Sequence, residues 1–215
     1  MKKRLKIDFV SDISCPWCII GLSSLQQAIH SLGDQIEVDL HFQPFELNPA
    51  MPSEGQDLDE HLAEKYGLPP EQLERNREAI RARGEQVGFA FNMDKRSRIY
   101  NTFDAHRLLH WAGLEGKQLE LERALFEAYF TEGENPGAHD LLVRMAGKVG
   151  LDQERAREIL ASNAYADEVR QRQAYYQQLG IHSVPSIIIN ERHLIQGGQP
   201  QEVFAQALQQ IAASS

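Results

Sequence analysis

An α/β fold interrupted by a large all-helical insertion is what this sequence predicts, and three observations predict it. Strand character is confined to the two ends of the 215-residue chain. The residues between, 53–162, carry helical periodicity only. A Cys15-Pro16-Trp17-Cys18 pair, the only two cysteines, sits where the first strand gives way to the first helix. Residues 1–52 and 163–215 are therefore expected to form one α/β domain, with 53–162 as an inserted helical domain.

Each element has its own signal. Ile7, Phe9 and Val10 mark a β-run over residues 5–10, and residues 17–31 read as a helix that Gly33 stops. Residues 36–42 alternate Ile36, Val38, Leu40 and Phe42 against Glu37, Asp39 and His41, the period of a half-buried strand. A helix between two strands makes the crossover of a parallel pair. The proline-rich stretch 44–52 closes this unit.

From residue 58 to 161 only helices are expected. Residues 73–84 show a thin apolar stripe amid Glu and Arg, hence a helix with a broad solvated face. Ala105, Leu108, Leu109 and Ala112 share one face; so do Leu121, Leu125 and Ala128, widened by Phe126, Tyr129 and Phe130. Leu141, Leu142, Met145, Ala146 and Val149 form another stripe, closed by Gly150, and Asp152 is placed to cap the next helix.

Tyr165, Val169, Tyr176 and Leu179 line a helix that Gly180 ends. Residues 186–190 and 193–195 are β-runs around a Glu191-Arg192 turn, and Pro200 opens a last helix with Val203, Phe204, Ala207, Leu208 and Ile211 inward. The order β-α-β, helices, then α-β-β-α is that of a thioredoxin fold with a helical domain inserted after its second strand.

Composition narrows the function. With 31 acidic against 22 basic residues the net charge is -9, which disfavours nucleic acid or an anionic membrane as partner. No apolar run approaches the roughly 20 residues of a transmembrane helix. The basic start, residues 1–6, lacks an apolar segment behind it because Asp8, Ser11 and Asp12 intervene, so it reads as a solvated tail of a cytoplasmic protein. In a reducing compartment a permanent structural disulfide is disfavoured, and no other cysteine offers a framework.

The Cys-x-x-Cys placement points to thiol–disulfide exchange. At a helix N-terminus free N–H groups and the helix dipole favour an anion, so Cys15 is expected to be an exposed, attacking thiolate. Pro16 at the first helical position costs no hydrogen bond. Cys18, one turn on and facing protein, would resolve the mixed disulfide. Trp17 cannot place positive charge beside the thiolate as a histidine could, which predicts a less oxidising motif. Asp12, three residues before Cys15, would oppose ionisation if its side chain points the same way. A zinc half-site and an inert buried pair are the alternatives. Zinc takes four ligands and no second pair is present, although His41 and His182 are available; no metal is expected.

The phrase Ser14-Cys15-Pro16-Trp17-Cys18-Ile19-Ile20-Gly21 resembles the active-site signature of the DsbA-like thioredoxin superfamily, in particular its cytoplasmic FrnE-like branch. Three further stretches match that branch in order: Gln43-Pro44-Phe45-Glu46-Leu47-Asn48-Pro49, Asn101-Thr102-Phe103-Asp104-Ala105-His106-Arg107-Leu108, and Ser183-Val184-Pro185-Ser186 with Gly197-Gly198-Gln199-Pro200. The resemblance spans residues 6–211. It implies that Pro185 is a cis-proline facing the motif, with Val184 offering backbone groups to an extended substrate. It also implies that the insertion covers the active-site face, making Phe45, Leu47, Asn48, Asn101 and His106 candidates to line the substrate groove. Core packing competes as the role of Phe45, and an interfacial role as that of His106. Ser186 departs from the aromatic or apolar residue common in the branch.

The expected activity is dithiol/disulfide turnover by a redox-active Cys15–Cys18 pair, on protein or small-molecule disulfides. No bound cofactor is expected, and glutathione is a candidate electron donor. Against a cytosolic poise, reduction or isomerisation is favoured over net oxidation. The alternative is a glutathione-dependent isomerase or transferase of the related kappa-like branch, in which a serine stands at the position of Cys15. A non-enzymatic holdase or adaptor role is the third reading.

Overall fold

The computed structural model describes residues 2–214, so Met1 and Ser215 lie outside the described residues. The elements run β1 (Lys3–Ser11), α1 (Pro16–Leu32), β2 (Ile36–Pro44), β3 (Gln56–Asp57), α2 (Leu58–Tyr66) and α3 (Pro70–Val87). Next come β4 (Arg98–Ile99), α4 (Phe103–Leu114), α5 (Gln118–Phe126), α6 (His139–Lys148), α7 (Gln153–Leu160) and α8 (Ala166–Gln178). The chain closes with β5 (Ser186–Ile189), β6 (His193–Gln196) and α9 (Gln201–Ser214).

The main sheet has the order β2-β1-β5-β6. β1 and β2 are parallel, as the crossover predicts, while β1–β5 and β5–β6 are antiparallel. As a central strand β1 is buried along most of its length: Leu5, Ile7 and Phe9 are inaccessible on one face, and Asp8 and Val10 are buried on the other. Phe9 sits opposite both Phe42 of β2 and Ile187 of β5, and its ring meets Phe42 edge-on at 5.6 Å. α1 packs against α9 and α3 on one side of this sheet, and α8, α4 and α5 pack on β2 from the insertion side. One continuous apolar cluster joins Phe9, Cys18 and Leu25 to Leu108, Leu125 and Phe130, so the inserted helices share the core of the sheet.

Several expectations shift in detail. The basic residues from Lys3 to Lys6 form the first half of β1 rather than a tail. The insertion is not purely helical: β3 and β4 pair antiparallel through Gln56 with Ile99 and Asp57 with Arg98, a ladder too short to leave an alternation in sequence. Tyr165 stands outside α8 as its N-cap with φ 62°, and Leu179 and Val203 face solvent. The β5–β6 turn is centred on Asn190 and Glu191, both at positive φ, one residue earlier than expected. By contrast α3 buries only Leu73 and Gly84 among its side-chain positions, in keeping with a solvated face.

Gly84 is where α3 touches the loop that returns toward the motif. A Cβ there would meet the Phe91 ring and stand 2.7 Å from the Phe89 carbonyl oxygen. Gly84→Ala is therefore expected to destabilise the protein by about 1–3 kcal/mol through overpacking, read as a lower urea midpoint at unchanged m-value.

Candidate active site

β1 ends at Ser11, and a tight turn carries the chain into α1: the Cys15 N–H donates to the Asp12 carbonyl at 3.0 Å and the Cys18 N–H to the Cys15 carbonyl at 3.1 Å. Cys15 is the N-cap of α1, extended at φ -94° and ψ 113°, and Pro16 occupies the first turn. No side-chain oxygen caps this helix. The positive dipole end of α1 and its free N–H groups are thus at Cys15.

The structure brings Cys15 and the Val184-Pro185 segment together. The Val184-Pro185 peptide is cis, and Cys15 Sγ lies 3.6 Å from the Val184 carbonyl oxygen. Pro185 in turn accepts from Gly197 N–H at 2.8 Å. A Cβ on Gly21 would stand 3.1 Å from Pro185 Cγ and 3.2 Å from Gly198 Cα, so only glycine lets α1 approach this closely. Ser186, the departure from the branch, is fully buried and donates its hydroxyl to the Ser183 carbonyl at 2.8 Å, tying the turn before the proline.

The two cysteines are free thiols. Cys18 is 0% exposed, and burial, followed by the neighbouring Cys15 sulfur, pushes its thiol well up. Cys15 is less open than expected, at 5% exposed. Tyr66, at the end of α2, is 54% exposed, and its hydroxyl is pushed up by burial first and then by the charge of nearby Cys15. Trp17 is 37% exposed, and its ring edge lies against Gly198.

Asp12 does not point at Cys15 from solvent. It is buried, and its carboxylate accepts the Ser14 hydroxyl at 2.8 Å, the Leu47 N–H at 2.7 Å and the Thr102 hydroxyl at 2.7 Å. His106 Nε2 stands 3.4 Å from it. Burial opposes ionisation of Asp12, yet His106, Leu47 and Thr102 together hold its carboxyl below the usual range. Burial likewise disfavours the imidazolium of His106, but Asp12, and behind it Glu122 and Glu46, raise it above its ordinary value. His106 is consequently a buried partner of Asp12, 3% exposed, and does not line a groove. Phe45 is also core, packed with Val10, Tyr176 and Ile181 against Val184.

Asn48 and Asn101 are drawn into backbone-shaping bonds. Asn48 Oδ1 accepts from Lys65 Nζ at 2.7 Å and faces His61 Nε2 at 2.9 Å, while Lys65 also holds the Leu47 carbonyl at 2.7 Å, so α2 is strapped to the segment that bonds Asp12. Asn101 donates to the Met51 carbonyl and accepts from the Phe103 N–H.

Sequence reasoning missed Arg96. Its guanidinium is buried over the rings of Tyr129 (5.0 Å) and Phe130 (4.8 Å) and donates to the Ser14 carbonyl at 3.3 Å, one residue before the nucleophile. No pattern around residue 96 signals this, because the loop that carries it has no period. Among the described residues no three His, Cys, Asp or Glu side chains are grouped as a metal site, and no helix is long and apolar enough to cross a membrane.

A Cys-x-x-Cys at an uncapped helix start, facing a cis-proline on a mixed sheet, defines a thioredoxin-fold thiol–disulfide oxidoreductase. The chain belongs to the DsbA-like thioredoxin domain family, which it matches over residues 6–209. It is 30% identical over 203 residues to the uncharacterized protein YwbO of Bacillus subtilis, covering 94% of each chain. The crystal structure of a probable DsbA oxidoreductase from Streptomyces coelicolor superposes with a TM-score of 0.89 at 33% identity, over 98% of this chain and 91% of that one. The cytosolic disulfide reductase DsbM from Pseudomonas aeruginosa, solved with GSH, shares the fold at a TM-score of 0.65 and 18% identity, over 96% and 98% of the two chains.

Proposed function

We propose that this protein is a cytoplasmic oxidoreductase that reduces or isomerises disulfides of proteins or small molecules through Cys15 and Cys18, with a low-molecular-weight thiol such as glutathione as electron donor. The observation that carries the reading is the Cys15 sulfur at the uncapped start of α1, 3.6 Å from the Val184 carbonyl, with Cys18 buried behind it.

In this reading the Cys15 thiolate attacks a substrate disulfide, and one substrate sulfur leaves as a thiolate. Cys18 then attacks Cys15, releasing the second substrate sulfur and forming the Cys15–Cys18 disulfide. Val184, before the cis-Pro185, offers backbone groups to an extended substrate, and the exposed rings of Trp17 and Tyr66 are available to contact it. Asn48 acts at one remove, through its bonds to α2. Two donor thiols return the pair to the dithiol.

The test is a redox titration of the protein followed by thiol alkylation and mass measurement, beside an insulin-reduction assay. A single two-electron couple, and insulin reduction that falls to background in a Cys15→Ser, Cys18→Ser double variant, is the expected result. Glutathione-dependent isomerase or transferase activity without disulfide turnover would overturn it.

A further inference from the structure

Three successive carbonyls line the chain as it enters β5, and two of them are tied. The Ser183 carbonyl accepts the Ser186 hydroxyl at 2.8 Å, and the Pro185 carbonyl accepts the Gly197 N–H at 2.8 Å. The carbonyl between them, that of Val184, accepts the Cys15 thiol, with Sγ 3.6 Å from the oxygen. Ser186 is fully buried at the head of β5, where it stands opposite Val10 of β1 and Gln196 of β6. Its hydroxyl therefore acts from a fixed base, whereas Ser183 is exposed and Val184 half-buried in the turn ahead of it.

The Cys15–Val184 contact has a sign. A thiol donates to a carbonyl oxygen, but a thiolate facing the same oxygen meets partial negative charge. A hydrogen bond made by the neutral form opposes ionisation. Only the thiolate attacks a disulfide. The contact holds the nucleophile back for as long as the carbonyl has no other donor.

We propose that Ser186 is a positioning residue: by tying Ser183 it keeps the Val184 carbonyl on Cys15, so that the thiol stays masked until an extended substrate takes that carbonyl with a backbone N–H. The inference rests on the dithiol/disulfide reading above and gives it a substrate preference, for peptide disulfides over small ones that lack a peptide N–H.

The step balances without a further reactant. A substrate N–H bonds to the Val184 oxygen, the Cys15 S–H bond breaks, and its proton passes to water. The thiolate attacks one substrate sulfur. The substrate S–S bond breaks as the Cys15–substrate bond forms, and the second substrate sulfur leaves with the electron pair and takes up a proton. Ser186 acts through the turn and makes no bond to substrate. Cys18 and Tyr66, the titratable groups that feel the charge of Cys15, are unaltered by a change at position 186.

The experiment compares Ser186→Ala with its parent in a Cys18→Ser background, which leaves Cys15 as the one thiol of the chain. Because Ser183 is exposed, its freed carbonyl finds water and the variant keeps its fold. Formation of the mixed disulfide is followed at pH 7 with two probes. One is hydroxyethyl disulfide, which has no peptide N–H; the other is the disulfide dimer of acetyl-Ala-Cys-Ala-amide. We expect Ser186→Ala to react about threefold faster with hydroxyethyl disulfide, and its preference for the peptide probe to fall about tenfold, the scale of one hydrogen bond. The ultraviolet absorbance of the Cys15 thiolate should rise in parallel with the first rate. A peptide probe N-methylated on its backbone should lose the preference in the parent as well. An unchanged ratio of the two rates in Ser186→Ala, even with altered thermal stability, would overturn the proposal and leave Ser186 a packing residue. So would a thiolate absorbance that does not rise. No reaction of Cys15 with either probe in the parent would instead sink the dithiol/disulfide reading beneath it.

Discussion

Cys18→Ser is expected to accumulate a mixed disulfide between Cys15 and its substrate, and Cys15→Ser is expected to accumulate almost none. The asymmetry follows from two properties of the thiols. Cys15 sits at the edge of the helix start beside Val184, where a substrate sulfur can approach, whereas Cys18 presents no accessible surface. An ordinary thiol near 8.5 is only a few per cent ionised at pH 7. Cys18 is pushed well above the ordinary range by burial and by the neighbouring sulfur, so its thiolate is scarcer still. Together these predict at least about tenfold more trapped adduct for Cys18→Ser, since only the thiolate attacks and only an accessible one meets substrate. Non-reducing gels and mass spectrometry of the trapped species measure it directly. Equal trapping by both variants would reverse the assigned roles or dissolve the distinction between them.

That asymmetry is also the part of the site most legible in the sequence. Strand, turn and helix could be read across residues 7–31, and their order alone puts the first cysteine at the helix end and the second inside it. Short-range periodicity reports such local placement well. What it does not report is which polar residues meet across the insertion. Asp12 reads as a neighbour of the thiol in sequence, but in the fold it turns inward to hydrogen bonds from Leu47 and Thr102 and an ion pair with His106, residues 35 to 94 positions away. His106 belongs to a motif that resemblance places at the groove; in the fold it is buried and paired with Asp12 instead. Arg96 gives no signal at all, because a cation lying on two aromatic rings is specified by tertiary packing and not by its neighbours in the chain. The strands of the core were readable for the opposite reason. Phe9, Phe42 and Ile187 are each apolar within a run whose period or composition already favours a sheet.

Asp12→Ala is expected to be the most destabilising single change at the site, by about 3–5 kcal/mol, because it leaves a buried cation without its counter-charge. It also strands the Ser14 and Thr102 hydroxyls and the Leu47 N–H, all of which donate to this carboxylate. For a chain of this length such a loss lowers the melting temperature by roughly 10 °C. Asp12→Asn keeps an acceptor oxygen for part of that set and should lose less. The pH dependence separates the charge effect from the packing effect. The folded-state Asp12 carboxyl is held low, so its contribution is present above about pH 4 and disappears as pH falls through the folded value. His106 is held high, so its contribution is complete below about pH 6.5 and disappears as pH rises through the folded value. The stability gap between wild type and Asp12→Ala should therefore be widest between about pH 4 and 6.5 and narrow on both sides. Urea unfolding at pH 3, 5.5 and 9 reads this out. A gap independent of pH would mean that Asp12 and His106 contribute through shape and hydrogen bonding alone, and that the ion pair beneath the cysteines adds nothing to the stability of the fold.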